Sequence, residues 1–135
     1  MADAKARIAE TEKITINLGP IDLGQIDLLV LEGFYSTRTD LIRSAIRNQL
    51  ATHVDVLRQT VARRTLVLGL QDFSRRDLEA VRKSKTRLRI QVLGLVRIAD
   101  DVTPALASET IESIVVLGAF HASPAVKAAL ADRIH

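Results

Sequence analysis

The sequence predicts an α+β domain at the N-terminus, built from one strand and two helices, followed by an α/β domain of three βα units. Three observations predict this class. Residues 13–18 alternate polar and apolar side chains, as a half-buried strand does. Apolar residues in 20–50 recur at helical spacing between capping residues. The triplet Val-Leu-Gly begins at positions 67, 92 and 116, and a helix-like segment follows each copy.

The first strand is expected over residues 13–18, because β-branched side chains alternate there with polar ones. Ile14, Ile16 and Leu18 share one face, and Lys13, Thr15 and Asn17 share the other. A lone strand leaves both of its edges unpaired and is unstable by itself. The simplest partner is the same strand of a second copy, so the sequence predicts a dimer.

Two helices should follow this strand. Pro20 suits the first turn of a helix over 20–32, and Gly33 suits its end. That helix is apolar on more than one side, which predicts burial between partners. Residues 37–40, Thr-Arg-Thr-Asp, resemble a capping box with Asp in place of Glu. The helix that begins there should run to about residue 50, with an extension through Leu57 and Val61.

The second half contains three apolar runs, at 65–69, 90–94 and 114–118, and helices are expected over 74–85, 104–113 and 124–134. Thr103 and Ser123 are the expected caps of the last two helices. One strand and one helix in each unit of about 25 residues predict a short parallel βα repeat. The expected organisation is a flexible arm at 1–11, a strand–helix–helix dimerisation domain at 12–52, a helical extension or linker at 53–64, and an oligomerisation or regulatory domain at 65–135.

The composition excludes several classes of function. The chain has 135 residues and no cysteine, which removes disulfides, thiolate nucleophiles and cysteine-ligated metals. Aromatic residues make up 3 %, too few for a platform that stacks single-stranded bases. The three histidines share no metal-ligand spacing, and no phosphate loop or nucleophile elbow is present. We therefore expect no catalytic residues, metal or cofactor.

The expected compartment is the cytoplasm. The first twelve residues carry several charges and no apolar run, so no signal peptide is predicted, and no apolar stretch reaches the length of a membrane span. The net charge is +3, from 19 basic and 16 acidic residues, without a polybasic block. A nucleic-acid partner would therefore require the positive charge to be placed on one face.

Residues 12–50 resemble the ribbon-helix-helix family of DNA-binding regulators, in its CopG-like branch. The resemblance rests on the strand at 13–18, the helix after it, and the run Gly33 to Arg47. It implies an intertwined homodimer whose two strands form an antiparallel ribbon in the major groove of duplex DNA. In this family alternate strand residues contact bases, and the matching positions here are Lys13, Thr15 and Asn17. The function implied is that of a transcriptional regulator, most simply a repressor.

The chemistry of these residue types agrees with that implication. Lys donates to guanine, Asn pairs both ways with adenine, and the Thr methyl contacts the thymine methyl. The start of the second helix, with Thr37, Arg38 and Thr39, suits a DNA phosphate, because free amide groups and the helix dipole favour an anion there. Further candidates for the DNA backbone are Lys5, Arg7, Arg43 and Arg47. The last two could equally pair with acids of the preceding helix.

Three roles for residues 65–135 stay open at this level. The repeat could join dimers into tetramers or longer arrays. It could sense a small molecule, although a nickel site of the kind found in nickel-responsive family members is disfavoured by the lack of cysteine. The chain could also be an antitoxin-type module that binds a protein. The second half is predicted to be folded, which argues against this role.

Overall fold

The computed structural model describes residues 11–135, which divide into two compact units, Thr11–Gln59 and Thr60–His135. The first unit holds α1 (Pro20–Leu31) and α2 (Arg38–Ala51). Helix α3 (Val54–Arg63) contains the division between the units. The division falls inside the stretch 53–64 that the sequence marks as an extension or linker.

The predicted helices of the first unit are present. Pro20 occupies the first turn of α1, and Gly33 follows the helix with a φ of +86°, a conformation that a residue with a Cβ adopts at a cost. The predicted continuation of the second helix is corrected. The chain turns at Thr52 and His53, where Thr52 donates from its hydroxyl to the Gln49 carbonyl, and α3 begins anew at Val54.

The second unit alternates strands and helices. It contains β1 (Val67–Phe73), α4 (Arg75–Lys83), β2 (Leu88–Ile98), α5 (Pro104–Thr110), β3 (Ile111–His121), α6 (Pro124–Ala129) and a 3₁₀ turn at Ala131–Arg133. The strands form one parallel sheet in the order β1-β2-β3. Ser74, Thr103 and Ser123 cap the three helices with their hydroxyl oxygens, as the sequence predicts for the last two.

Two helix ends in this unit were predicted too late. The helix expected over 104–113 ends at Thr110, because Ile111 already has extended backbone and pairs with Leu88. The helix expected over 124–134 ends at Ala129, and the 3₁₀ turn completes it. The strands, by contrast, continue beyond the apolar runs that predicted them. Pairing with a neighbouring strand sets these limits, and periodicity along the chain does not contain that information.

The three Val-Leu-Gly triplets lie side by side. Val67 pairs with Val92 and Val92 with Val116, and the leucines and glycines follow in the same register. All three glycines have φ between +127° and +142°. A Cβ on Gly94 would lie 2.1 Å from the carbonyl oxygen of Gly69, and one on Gly118 would lie 2.1 Å from that of Gly94. Glycine is therefore required for the strands to approach this closely.

One face of the sheet forms the core. Each strand lies beside the previous one in a constant direction, so right-handed crossovers place α4 and α5 on the same face, and α6, which follows β3, packs against the same core. Leu78, Leu106 and Val126 from these helices join Val92 and Val96 of β2 in one buried cluster. Side chains alternate along a strand, so the next residues in line, such as Leu93 and Leu95, belong to the opposite face.

We predict that Gly94→Ala and Gly118→Ala each destabilise the second unit by about 3 kcal/mol or more, because the strands must separate as well as accept a strained φ. Gly69→Ala is the matched control. Its φ is equally unfavourable, but no atom lies within 4 Å of the added Cβ, so we expect a loss of about 1–2 kcal/mol. Urea unfolding followed by circular dichroism gives the comparison. Equal losses at all three positions would contradict the close approach of the strands.

Candidate nucleic-acid interface

Residues 11–19 are exposed along both sides of the segment. Lys13, Thr15 and Asn17 are exposed, and so are Ile14, at 77 %, and Ile16, at 67 %. No strand is formed between residues 11 and 19 of the single chain. The strand over 13–18 therefore stays a prediction.

The start of α2 is built by its own side chains. The Thr37 hydroxyl oxygen accepts a hydrogen bond of 3.0 Å from the Asp40 backbone N–H, which confirms Thr37 as the cap. The Asp40 carboxylate accepts from both the backbone N–H and the hydroxyl of Ser36, each at 3.2 Å. The predicted capping box is thus present in altered form, because the reciprocal bond goes to Ser36. The first amide groups of a helix have no acceptor within the helix. The side chains around those of α2 are exposed: Thr37, Arg38 and Thr39.

Arg38 forms a bidentate ion pair with Asp27 of α1. Its Nε donates to Asp27 Oδ1 at 2.7 Å, and its Nη2 donates to Oδ2 at 2.8 Å. These hydrogen bonds, aided by the attraction of opposite charges, lower the pKa of Asp27 below its ordinary value and raise the pKa of Arg38. The pair ties the start of α2 to α1 and fixes the orientation of the guanidinium.

Asp27 is the residue that sequence reasoning missed. It lies eleven positions before Arg38, across a turn, and no local spacing rule connects the two. Guanidinium has five N–H donors, of which this pair uses two. A phosphate at the start of α2 would therefore share Arg38 with Asp27.

Arg43 and Arg47 lie one turn apart on α2 and border a shallow cavity of about 190 Å³ whose third lining residue is Ile46. Within the described residues neither arginine forms an ion pair with the acids of α1, an arrangement that the sequence left open. The other backbone candidates, Lys5 and Arg7, lie outside the described residues.

The first unit has an apolar surface and no buried residue. In α1, α2 and the segment before them, no described side chain is buried, and α3 adds none. Leu31 is 81 % exposed and Phe34 is 71 % exposed. Other large apolar side chains exposed here are Leu18, Ile21, Leu28, Leu29, Ile46, Leu50, Val54, Val56 and Leu57. Such an extended apolar surface is typical of a chain that folds against a partner.

Residues 11–135 contain no group of three or more metal-ligating side chains placed to hold a metal ion. In the same part of the chain, no helix combines the length and the hydropathy needed to cross a membrane.

Residues 9–127 match the model of the Ribbon-Helix-Helix transcriptional regulator family. The match covers most of the chain, including all three strands of the sheet, and the chain therefore belongs to this family. Membership indicates a DNA-binding transcriptional regulator. No curated protein and no solved structure matches the chain.

The Arg38–Asp27 pair should be visible in the acid titration of Asp27. Because the pKa of Asp27 is lowered in the folded chain, the pair contributes to stability fully above the usual aspartate range, and this contribution is lost as the pH falls through the lowered value. We expect Arg38→Gln to return the pKa of Asp27 toward its ordinary value. Carboxyl ¹³C shifts measured during an acid titration give both values. An unchanged Asp27 titration in Arg38→Gln would show that the pair is absent in solution.

Proposed function

We propose that two copies of this chain form a dimer that binds a specific duplex DNA sequence through a two-stranded antiparallel ribbon and represses transcription. The observation that carries the proposal is the lack of any buried residue in the unit 11–59, combined with its many exposed apolar side chains. A second copy of the same unit supplies the surface that this one lacks.

The ribbon pairs residues 13–18 of one chain with the same residues of the other. Ile14, Ile16 and Leu18 then face the helices, and their polar neighbours face outward. Burying these three side chains in both copies stabilises the dimer by at most about 9–18 kcal/mol. Association costs about 4–15 kcal/mol, so the ribbon alone roughly offsets it. Burial of the exposed apolar residues of α1 and α2 supplies the additional free energy that makes the dimer stable.

The outward face of this ribbon carries Lys13, Thr15 and Asn17 from each chain. A ribbon of two strands fits the major groove, where each base pair presents its own pattern of donors, acceptors and methyl groups. Lys13 would contact guanine, Asn17 adenine and Thr15 a thymine methyl group. These three side chains provide the sequence selectivity.

Thr37, Arg38 and Thr39 at the start of α2 would bind a DNA phosphate and set the register of the ribbon. Arg43 and Arg47 extend the positive charge along the helix, and Lys5 and Arg7 add to it from the N-terminal arm. Two chains of +3 give the dimer a net charge of +6 (2 × 3), which favours association with the DNA polyanion.

The second unit would join such dimers into tetramers through the sheet face that lacks helices. That face presents the leucine row of the repeated triplet, with Leu68 71 % exposed and Leu117 50 % exposed, and Leu70 lies beside it. We assign a second copy of the same face as its occupant, because each dimer carries two such faces and binding at neighbouring DNA sites raises their local concentration.

We expect Asn17→Ala and Lys13→Ala to relax sequence selectivity, with a loss of about 1–3 kcal/mol for the selected site and little change for unrelated DNA. Arg38→Ala should instead weaken binding to all sequences alike and flatten the dependence on salt concentration. Selection of bound fragments from random DNA, followed by titrations at several salt concentrations, separates these effects. Lys83→Ala, which removes an exposed lysine of the second unit, is the control. The ribbon assignment fails if Lys13→Ala and Asn17→Ala keep full selectivity.

The proposed assembly should be detectable as the mass of the protein in solution. Leu68→Lys and Leu117→Lys place charge on the sheet face without helices, so tetramers should dissociate to dimers. Ala80→Lys adds the same charge at an exposed position of α4 and should leave tetramers intact. Sedimentation velocity of the full chains measures the difference. Wild-type chains that remain dimers at every concentration would rule out assembly through this face.

A further inference from the structure

A cavity of about 390 Å³ lies at the carboxyl ends of β2 and β3. Arg97 lines it from β2, His121 from β3 and Lys127 from α6. Asp100 contributes a carboxylate, and Ala99 and Ala122 contribute apolar surface. The volume is within the range of sites for small molecules.

The topology explains why these groups meet. Parallel strands end at the same edge of a sheet, and Arg97 and His121 are direct register partners there. Helix α6 begins three residues after β3, which brings Lys127 to the same edge. The Lys127 ammonium lies 5.8 Å from the centre of the Phe120 ring, a cation–π contact that holds it near the strand ends. In open α/β sheets ligands bind outside the carboxyl ends of the strands, where the strand order reverses. The order here does not reverse, so it is the residues lining the cavity that indicate a site.

The charges of the lining favour an anion with a second polar group. Arg97 and Lys127 supply two cationic groups, whereas Asp100 is the single acid among the residues that line the cavity. Asp72 offsets part of the Arg97 charge, because its Oδ1 lies 3.6 Å from Arg97 Nη1. A carboxylate or phosphate matches the cationic groups, and a hydroxyl or ammonium on the same molecule matches Asp100.

We propose that this cavity binds a small organic anion, a carboxylate or a phosphate ester, that also carries a hydroxyl or amino group. The anionic group contacts Arg97 and Lys127, and Asp100 accepts a hydrogen bond from the donor group. The short apolar part of the ligand lies against Ala99 and Ala122. This site goes beyond the proposed DNA-binding function, and it does not depend on whether the ribbon assignment is right.

Four probes test the site on the full-length protein: malate, aspartate, succinate and inorganic phosphate. We expect malate or aspartate to bind saturably at concentrations up to about 20 mM and more tightly than succinate, which lacks the donor group. Amide NMR shifts should change at residues 97–100 and near His121 and Lys127. Binding of phosphate without the dicarboxylates would identify the phosphate ester as the class of ligand.

Variants make the test specific. Lys127→Gln and Arg97→Gln should each raise the dissociation constant at least about fivefold, because each removes a charged hydrogen bond. Asp100→Asn should remove the advantage of malate over succinate. Lys83→Gln, which neutralises a lysine on α4 away from the cavity, should change nothing. Circular dichroism and DNA binding of each variant show whether the fold and the first unit are intact.

Two results would overturn the proposal. One is that none of the four probes gives saturable binding to the wild-type protein. The other is that Lys127→Gln and Arg97→Gln, while folded, bind the probes as Lys83→Gln does. Equal affinity for malate and succinate would contradict the role of Asp100. Full selectivity in Lys13→Ala, the result that contradicts the ribbon assignment, would leave all of these outcomes unaffected, so the two proposals fail separately.

Discussion

The close approach of the three strands at Gly69, Gly94 and Gly118 determines the rest of the second unit. Because a Cβ at the second or third position would meet a carbonyl oxygen of the preceding strand, this register requires glycine at both positions. The register then decides which residues alternate into the core and which reach the opposite face. It also places Asp72, Arg97 and His121 in one row at the carboxyl edge, where the cavity lies.

The first unit obeys a different constraint. Two helices of 12 and 14 residues with an exposed segment before them enclose too little volume to bury any side chain. The Arg38–Asp27 pair links α1 to α2, but it is exposed, and exposed ion pairs contribute little to stability. In the proposed dimer, apolar burial against a second copy is the main source of stability for this unit.

Sequence patterns predicted the elements better than their contacts. The caps Thr37, Thr103 and Ser123 and the triplet spacing are local signals, and the structure contains the helices and strands that they indicate. Helix α5 ends early because Ile111 pairs with β2, and the Asp27–Arg38 pair joins residues that only the turn between helices brings together. The cavity could not be predicted, since its groups come from two strands and a helix whose register no linear pattern specifies.

Arg97 connects the two surfaces of the second unit. It belongs by alternation to the sheet face without helices, it pairs with Asp72 across that face, and it lines the cavity at the strand ends. An anion in the cavity competes with Asp72 for this guanidinium and so changes the charge at the edge of the face. If the face joins dimers, thermodynamic linkage requires that assembly change the affinity for the anion by the same factor. Ligand binding and assembly would then be coupled through one side chain, without any rearrangement of the core.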